Sequence, residues 1–183
     1  CIVPFIGGTS KKIGNGDTPK WSPDGKRIGY ILYYPARRVT SPSWPVSKSG
    51  NGEFWTMNPD GTNKRLEFTD TVASKRKWDM LSFAWSPDSR SVAWVRSLPS
   101  LYSEIVIHDL QSHKETRLIS DTTWKHEICW GANDRIIYES ATKGRGGANL
   151  RTVSAKGGDP IQLTKGSNTF DHPSISADAQ TTA

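Results

Sequence analysis

The pentapeptide Trp21-Ser22-Pro23-Asp24-Gly25 limits what this chain can fold into, because it recurs. Trp85-Ser86-Pro87-Asp88-Ser89 is nearly identical, Trp130-Gly131-Ala132-Asn133-Asp134 is a degraded copy, and Ile175-Ser176-Ala177-Asp178-Ala179 is a fourth. The steps between first residues are 64, 45 and 45. A near-constant step of this size marks a repeat architecture. Within each copy, Pro sets φ for the first central position of a β-turn, Asp tolerates the second and Gly closes it. The segments that leave the turns are rich in β-formers: Lys26 to Tyr34, Ser91 to Val95, and Arg135 to Tyr138. Each copy therefore reads as a hairpin.

A second turn recurs between the copies. Residues 1–13 align with residues 151–163, so that Gly7-Gly8 overlays Gly157-Gly158. Asn58-Pro59-Asp60-Gly61 and the stretch Asp109 to Lys114 occupy the same place. The unit thus holds four strands, with the Trp-Ser-Pro-Asp turn between the first two and a Gly-rich turn between the last two. The expected organisation is one partial propeller: a partial blade at 1–13, blades at about 17–68, 81–119 and 125–164, and a partial blade at 171–183. The second strand of the first unit is apolar on both faces, with Ile28, Tyr30 and Leu32 alternating with Ile31 and Tyr33. Such a strand belongs in a sheet covered on both sides. Four-stranded antiparallel units of this length that bury their faces on one another are the blades of an all-β propeller. The Trp that opens each turn is expected to pack between blades.

The segments from Asp17-Thr18-Pro19-Lys20 through Trp21-Ser22-Pro23-Asp24-Gly25-Lys26-Arg27-Ile28, Phe54-Trp55-Thr56-Met57-Asn58-Pro59-Asp60-Gly61, and Asp171-His172-Pro173-Ser174-Ile175-Ser176 resemble the repeats of TolB-like propellers. The resemblance covers essentially the whole chain. It implies a ring of about six blades, of which this chain is expected to be a fragment cut at both ends. Such repeats occur in periplasmic translocation proteins, in the propellers of prolyl oligopeptidase-type peptidases, and in sensor portions of bacterial kinases and transcription regulators. Two departures stand out. The third copy lacks the Ser-Pro-Asp core, and the second has Leu81-Ser82-Phe83 where the others have an Asp-x-Pro entry.

Catalytic constellations are not evident. The sequence holds no Gly-x-Ser-x-Gly elbow, and His126-Glu127-Ile128-Cys129 lacks the second His that a zinc protease needs four residues on. Gly144-Arg145-Gly146-Gly147 lacks the Lys-Ser/Thr tail of a phosphate loop. No catalytic residue, metal site or cofactor is assigned. His126 and His172 fall near the starts of innermost strands, where a channel-facing role is the alternative to packing, and His108 reads as a packed or edge histidine. Cys129, between Ile128 and Trp130, reads as a small core residue, and Cys1 as a strand residue inside a repeat rather than a lipid-modified first residue. No run of eighteen apolar residues exists to cross a membrane as a helix.

Charge points to a partner. The net charge is +6. In an antiparallel blade the Ser-Pro-Asp and Gly-rich turns share one end, and all other connections share the opposite end. Those connections hold ten cations (Arg37, Arg38, Lys48, Lys75, Arg76, Lys77, Lys125, Lys143, Arg145 and Lys165) against Asp70, Asp79, Asp121 and Asp171. Two of them are long, Pro35 to Gly52 and Thr69 to Met80, and long loops on a rigid scaffold commonly carry function. The expected partner-binding residues are Arg37, Arg38, Trp44, Lys75, Arg76, Lys77, Trp78, Trp124, Lys143 and Arg145. Arg forks and aromatic faces suit an acidic peptide or protein. Nucleic acid is disfavoured, since no reader motif is present.

The expected function is therefore a non-catalytic binding module of the translocation or sensor type, in a periplasmic or extracytoplasmic compartment. The alternative is the gating propeller of a prolyl oligopeptidase-type peptidase whose catalytic domain lies outside this chain. Cut blade edges should make the isolated chain self-associate.

Overall fold

The computed structural model describes residues 1–2, 7–33, 52–70, 80–98, 102–142, 147–166, 169–170 and 172–176. Among the described residues twelve strands form three four-stranded antiparallel sheets, each a meander in chain order. The first holds β1 (Asp17–Trp21), β2 (Ile28–Tyr33), β3 (Gly52–Met57) and β4 (Arg65–Thr69). The second holds β5 (Met80–Trp85), β6 (Ser91–Ser97), β7 (Ser103–Asp109) and β8 (Glu115–Ser120). The third holds β9 (Ile128–Trp130), β10 (Arg135–Ser140), β11 (Asn149–Ser154) and β12 (Ile161–Gln162). Ile2 pairs with Lys11 across an isolated antiparallel bridge. The architecture is an all-β propeller.

The repeated turn closes the same way each time. Gly25, Ser89 and Asp134 occupy its fifth position with φ of 69°, 61° and 57°. Asp24 Oδ1 accepts from the amide of Lys26 at 3.1 Å, Asp88 Oδ1 from that of Arg90 at 3.0 Å, and Asn133 Oδ1 from that of Arg135 at 3.2 Å. The degraded third copy keeps the side-chain acceptor and the left-handed residue that the turn requires. It lacks the serine. Ser22 Oγ and Ser86 Oγ each accept from the amide five residues on, that of Arg27 at 2.9 Å and that of Ser91 at 2.8 Å. With glycine at 131 the closing backbone bond shortens by one residue, from Ser22–Arg27 and Ser86–Ser91 to Gly131–Arg135.

The sheets stack face to face through alternate side chains of the same strands. In β6, Val92 and Trp94 join Phe83, Trp85, Val106 and Leu110 against Ile31 and Phe54 of the first sheet. Ala93 and Val95, from the other face of β6, join Ala84, Ile105 and Ile119 against Ile128, Ile136, Tyr138 and Val153 of the third. The period-two alternation of a strand turns one apolar sequence into two interfaces. Gly29 makes the first closure possible. A Cβ there would lie 2.8 Å from both Phe54 and Trp85. Trp85 reaches across instead, its indole donating to the Lys20 carbonyl at 3.1 Å. Trp85 thus packs between sheets, and Trp130 packs against the cluster shared by the second and third. Trp21 does not: it is 52% exposed and lines a hollow with Cys1, Ile2 and Tyr30. Among the described residues no neighbouring sheet covers it there, so the expectation fails for this copy.

Charge is buried where the first two sheets meet. The Arg96 guanidinium donates to Asp70 at 2.7 Å, Glu104 at 2.8 Å and Glu115 at 2.9 Å. It also lies 5.5 Å from the Trp94 ring, and Arg117 adds a 3.0 Å contact to Glu104. Burial works against the charge on Arg96, but the three carboxylates outweigh it and raise its pKa. Farther along the same interface, the His108 ring stacks on Phe68 at 4.1 Å. Neither of its nitrogens has a partner among the described residues. Burial is the main cause of its lowered pKa, with Glu115 pulling the other way.

Two outcomes follow from this interface. Arg96→Met strands the buried Asp70 and Glu104 carboxylates and should cost about 3–5 kcal/mol in chemical denaturation. Glu115→Gln, at a side chain 43% exposed, should cost less than about 1 kcal/mol. For His108 the sign runs through proton uptake. The unfolded chain protonates this imidazole at about pH 6.5 and the folded chain only at lower pH, so acid favours unfolding. The wild-type melting temperature should therefore fall more than that of His108→Phe between about pH 7.5 and about pH 5.5.

Candidate binding face

The connection from β8 to β9 is the part of the loop-bearing end that the structure describes in most detail. Its geometry begins at Asp121, whose Oδ1 accepts from the Thr123 amide at 2.9 Å and the Thr123 hydroxyl at 2.6 Å. Lys125 folds back over this turn and is completely buried. Its Nζ reaches Asp121 Oδ1 at 2.6 Å, the Ser103 carbonyl at 2.9 Å, the Thr123 carbonyl at 3.1 Å and Thr123 Oγ1 at 3.0 Å. The backbone amide of Lys125 donates to Ser103 Oγ, which donates back to the Lys125 carbonyl at 3.0 Å. Burial lowers the Lys125 pKa, partly offset by Asp121. Burial alone would raise the Asp121 pKa, but hydrogen bonds from Lys125 and Thr123 hold it below the usual carboxylate range. A buried ammonium satisfied this way anchors the loop.

Two side chains are left outside this anchor. Trp124 is 37% exposed. Its backbone exchanges two 2.8 Å hydrogen bonds with Ala141, at the end of β10. The His126 ring stacks on the Trp124 ring with centroids 5.2 Å apart and planes 12° from parallel. Nδ1 of His126 lies 3.7 Å from Glu127 and 4.0 Å from Glu139. The result is a flat aromatic ledge with an acidic edge, on a loop whose shape is set beforehand.

Of the expected binding residues, Trp124 is the one the structure describes. Arg37, Arg38, Trp44, Lys75, Arg76, Lys77, Trp78, Lys143 and Arg145 lie outside the described residues. The charge count of this end needs correction at three places. Lys125 offers no cation to a partner, because its ammonium is enclosed. Asp70 is spent on Arg96, and Asp121 on Lys125, with Arg151 a further 3.8 Å away. Pattern reading could not find Lys125, since a lysine three residues from a strand ordinarily reads as solvated. The run Asp121-Thr122-Thr123 did carry a local signal, an Asp placed to accept from the amide two residues on.

The innermost strands carry a polar row. Lys20 Nζ donates to the Phe83 carbonyl at 2.6 Å and lies 3.4 Å from Ser82 Oγ, which donates to Glu127 at 2.9 Å. Burial lowers the Lys20 pKa against the pull of Glu127 and Cys129. A serine beside such a lysine has the parts of a nucleophile, yet Ser82 is buried and its proton is committed to Glu127. The row ties three successive sheets together. Burial pushes the Cys129 thiol up to about 11, so at neutral pH it is an unreactive thiol. Among the described residues no three His, Cys, Asp or Glu side chains gather as a metal site would need.

Two solved TolB structures share this arrangement of sheets. TolB from Acinetobacter baumannii superposes with a TM-score of 0.67 and 17% identity, over 91% of this chain and 36% of that one. The structure described as a putative TolB from Agrobacterium tumefaciens gives 0.56 and 19%, over 87% of this chain and 65% of that one. The fold is a TolB-like β-propeller. The chain spans about a third of the first relative's length and just under two thirds of the second's. The TolB-like propeller is also similar to the β-propeller domain of the trilobed protease from Pyrococcus furiosus, at a TM-score of 0.55 and 12% identity over 85% of this chain and 45% of that one. No protein-family model and no curated protein matches the chain.

If Lys125 anchors the ledge, Lys125→Met should remove the ammonium's bonds to Asp121, Thr123 and the Ser103 carbonyl and cost about 1–3 kcal/mol. Hydrogen exchange at the Trp124 and Ala141 amides should accelerate in that variant.

Proposed function

We propose that this TolB-like propeller segment is a non-catalytic binding module that holds an acidic peptide or protein segment on its loop-bearing end, in a periplasmic or other extracytoplasmic compartment. The observation that carries this reading is the Trp124–His126 ledge. Its loop is locked by the buried Lys125, so little ordering entropy remains to be lost on binding, and exposed aromatic rings on rigid supports are efficient anchors. The preference for acidic partners rests on the cations that the sequence assigns to the same end: Arg37, Arg38, Lys75, Arg76, Lys77, Lys143 and Arg145. Trp44 and Trp78 belong to the same proposed surface. The similarity to TolB structures and the bacterial repeat resemblance favour the translocation or sensor setting. A second reading has its own support in the likeness to a protease propeller domain: a gating propeller whose hydrolase domain lies outside this chain.

A panel of peptides graded from acidic to basic tests the proposal. Acidic peptides should bind best, and binding should weaken steeply from low to physiological salt, since exposed charges are screened over about 10 Å at 0.1 M. Trp124→Ala should weaken binding at least about tenfold, as loss of a central aromatic anchor does. Reversal of Arg37, Arg38, Lys75, Arg76 and Lys77 to Glu should abolish the preference for acid. Equal binding across the panel, or an unchanged affinity in Trp124→Ala, would overturn it. The gating reading instead requires a Gly-x-Ser-x-Gly elbow in sequence continuous with this chain.

A further inference from the structure

At the opposite end, between the first and second sheets, the repeated turns leave a cleft of about 320 Å³ lined by Arg27, Arg65, Ser89, Arg90, Leu110 and Gln111. We propose that this cleft binds a phosphate group, as a phosphomonoester dianion. Three arginines line it, and among the described residues no carboxylate does. Each of the three arginines comes from a different place: the end of the first Ser-Pro-Asp turn, the start of β4 and the second Ser-Pro-Asp turn. The stacking of two sheets brings them together.

The cleft is built rather than a chance crowding of surface arginines. Arg27 lies over the Trp85 ring at 4.9 Å and donates through Nη2 to the Ser89 carbonyl, so its plane is fixed from both sides. Ser89 is buried, and its Oγ accepts from the Asp24 amide at 3.1 Å. Among the described residues that hydroxyl has no acceptor of its own, which leaves its proton for a ligand oxygen. Leu110, also buried, supplies an apolar floor, and Gln111 completes the lining.

The nearest acids flank the cleft on the two turns, beside Arg27 and Arg90, with oxygens already bonded to turn donors. Asp24 accepts from Ser22 Oγ and the Lys26 amide, and Asp88 from Ser86 Oγ and the Arg90 amide. Glu67 accepts from the buried Thr56 hydroxyl at 2.6 Å and lies 3.5 Å from Arg65. Arg65 is therefore partly neutralised, while the Arg90 guanidinium feels Asp88 through space and forms no ion pair within 4.0 Å among the described residues. A guanidinium fork binds carboxylate or phosphate through two parallel bonds. Three arginine side chains and a hydroxyl donor around one space offer more donors than a single carboxylate can accept, which matches the three free oxygens of a phosphate group.

Titration of the 183-residue chain with inorganic phosphate by calorimetry and ³¹P NMR at low salt should show saturable binding in the millimolar range. Arg90→Gln and Arg65→Gln should each weaken it about tenfold, the cost of one charge-assisted bond, with unchanged thermal unfolding as the check on folding. Arg90→Lys, which keeps the charge and loses the fork, should fall between. Succinate, of equal charge, should bind more weakly. Vesicles carrying phosphatidic acid identify the source. Their capture, absent for phosphatidylcholine vesicles and lost in Arg90→Gln, assigns the group to a lipid headgroup. Phosphate binding without vesicle capture assigns it to a soluble ester. Non-saturating phosphate binding, indifference to both glutamine variants, or succinate binding as tight as phosphate would overturn the proposal.

Discussion

The first two sheets of this protein are apolar on both faces and must be covered twice. A lone four-stranded sheet of this composition would leave Val92 and Trp94 on one side of β6, and Ala93 and Val95 on the other, in water. Burial of such side chains is worth roughly 1.5–3 kcal/mol each, so stacking with neighbours is what makes a sheet stable here. Other features serve that stacking. Gly29 clears space for Trp85, whose ring meets Phe54 edge-on at 5.8 Å. Gly131 does the same for Ile175, since a Cβ there would lie 2.9 Å from its side chain. Trp21, half exposed and with no sheet against it among the described residues, shows what an uncovered face looks like.

Stacking also traps charge, and the trapped charge shapes the surface. Arg96 and Lys125 are buried cations surrounded by oxygen acceptors near the loop-bearing end. An unpaired ion could not stay in such places. Each therefore dictates where its partners sit: Asp70 and Glu104 around the first, Asp121, Thr123 and Ser103 around the second. Rigidity near the binding face comes from inside the blade stack. Trp124 and His126 are displayed because the residue between them points inward.

The two ends of the blades do different work. At one, similar short turns repeat with the same side-chain cap on the amide two residues on, and their recurrence places Arg27 and Arg90 near each other across a sheet boundary. At the other, the connections differ in length and composition, and each builds its own structure. Repetition produces a cleft at one end by symmetry of the turns, while variation at the other end supports a partner-specific surface.

The sequence alone determined the propeller. Turn chemistry and strand alternation are local properties, and Trp-Ser-Pro-Asp-Gly carries its own conformation wherever it stands. Even the degraded copy at Trp130 folds as its better-preserved relatives do, because Asn133 and Asp134 still meet the two demands of the turn. The same reading offered a packed His108 and placed Trp124 at the loop-bearing end, while Cys129, read as core, is only half-buried. It misjudged Lys125, Asp70 and Asp121 as surface charge, and it did not find the ledge formed with His126 or the arginine cleft. Those depend on which side chains meet across sheet boundaries, over separations such as the 62 residues between Arg27 and Ser89. Charge and hydropathy are read along a chain. Burial and pairing are decided between sheets, where desolvation penalises any ion without a partner, and only the tertiary structure brings the partners together.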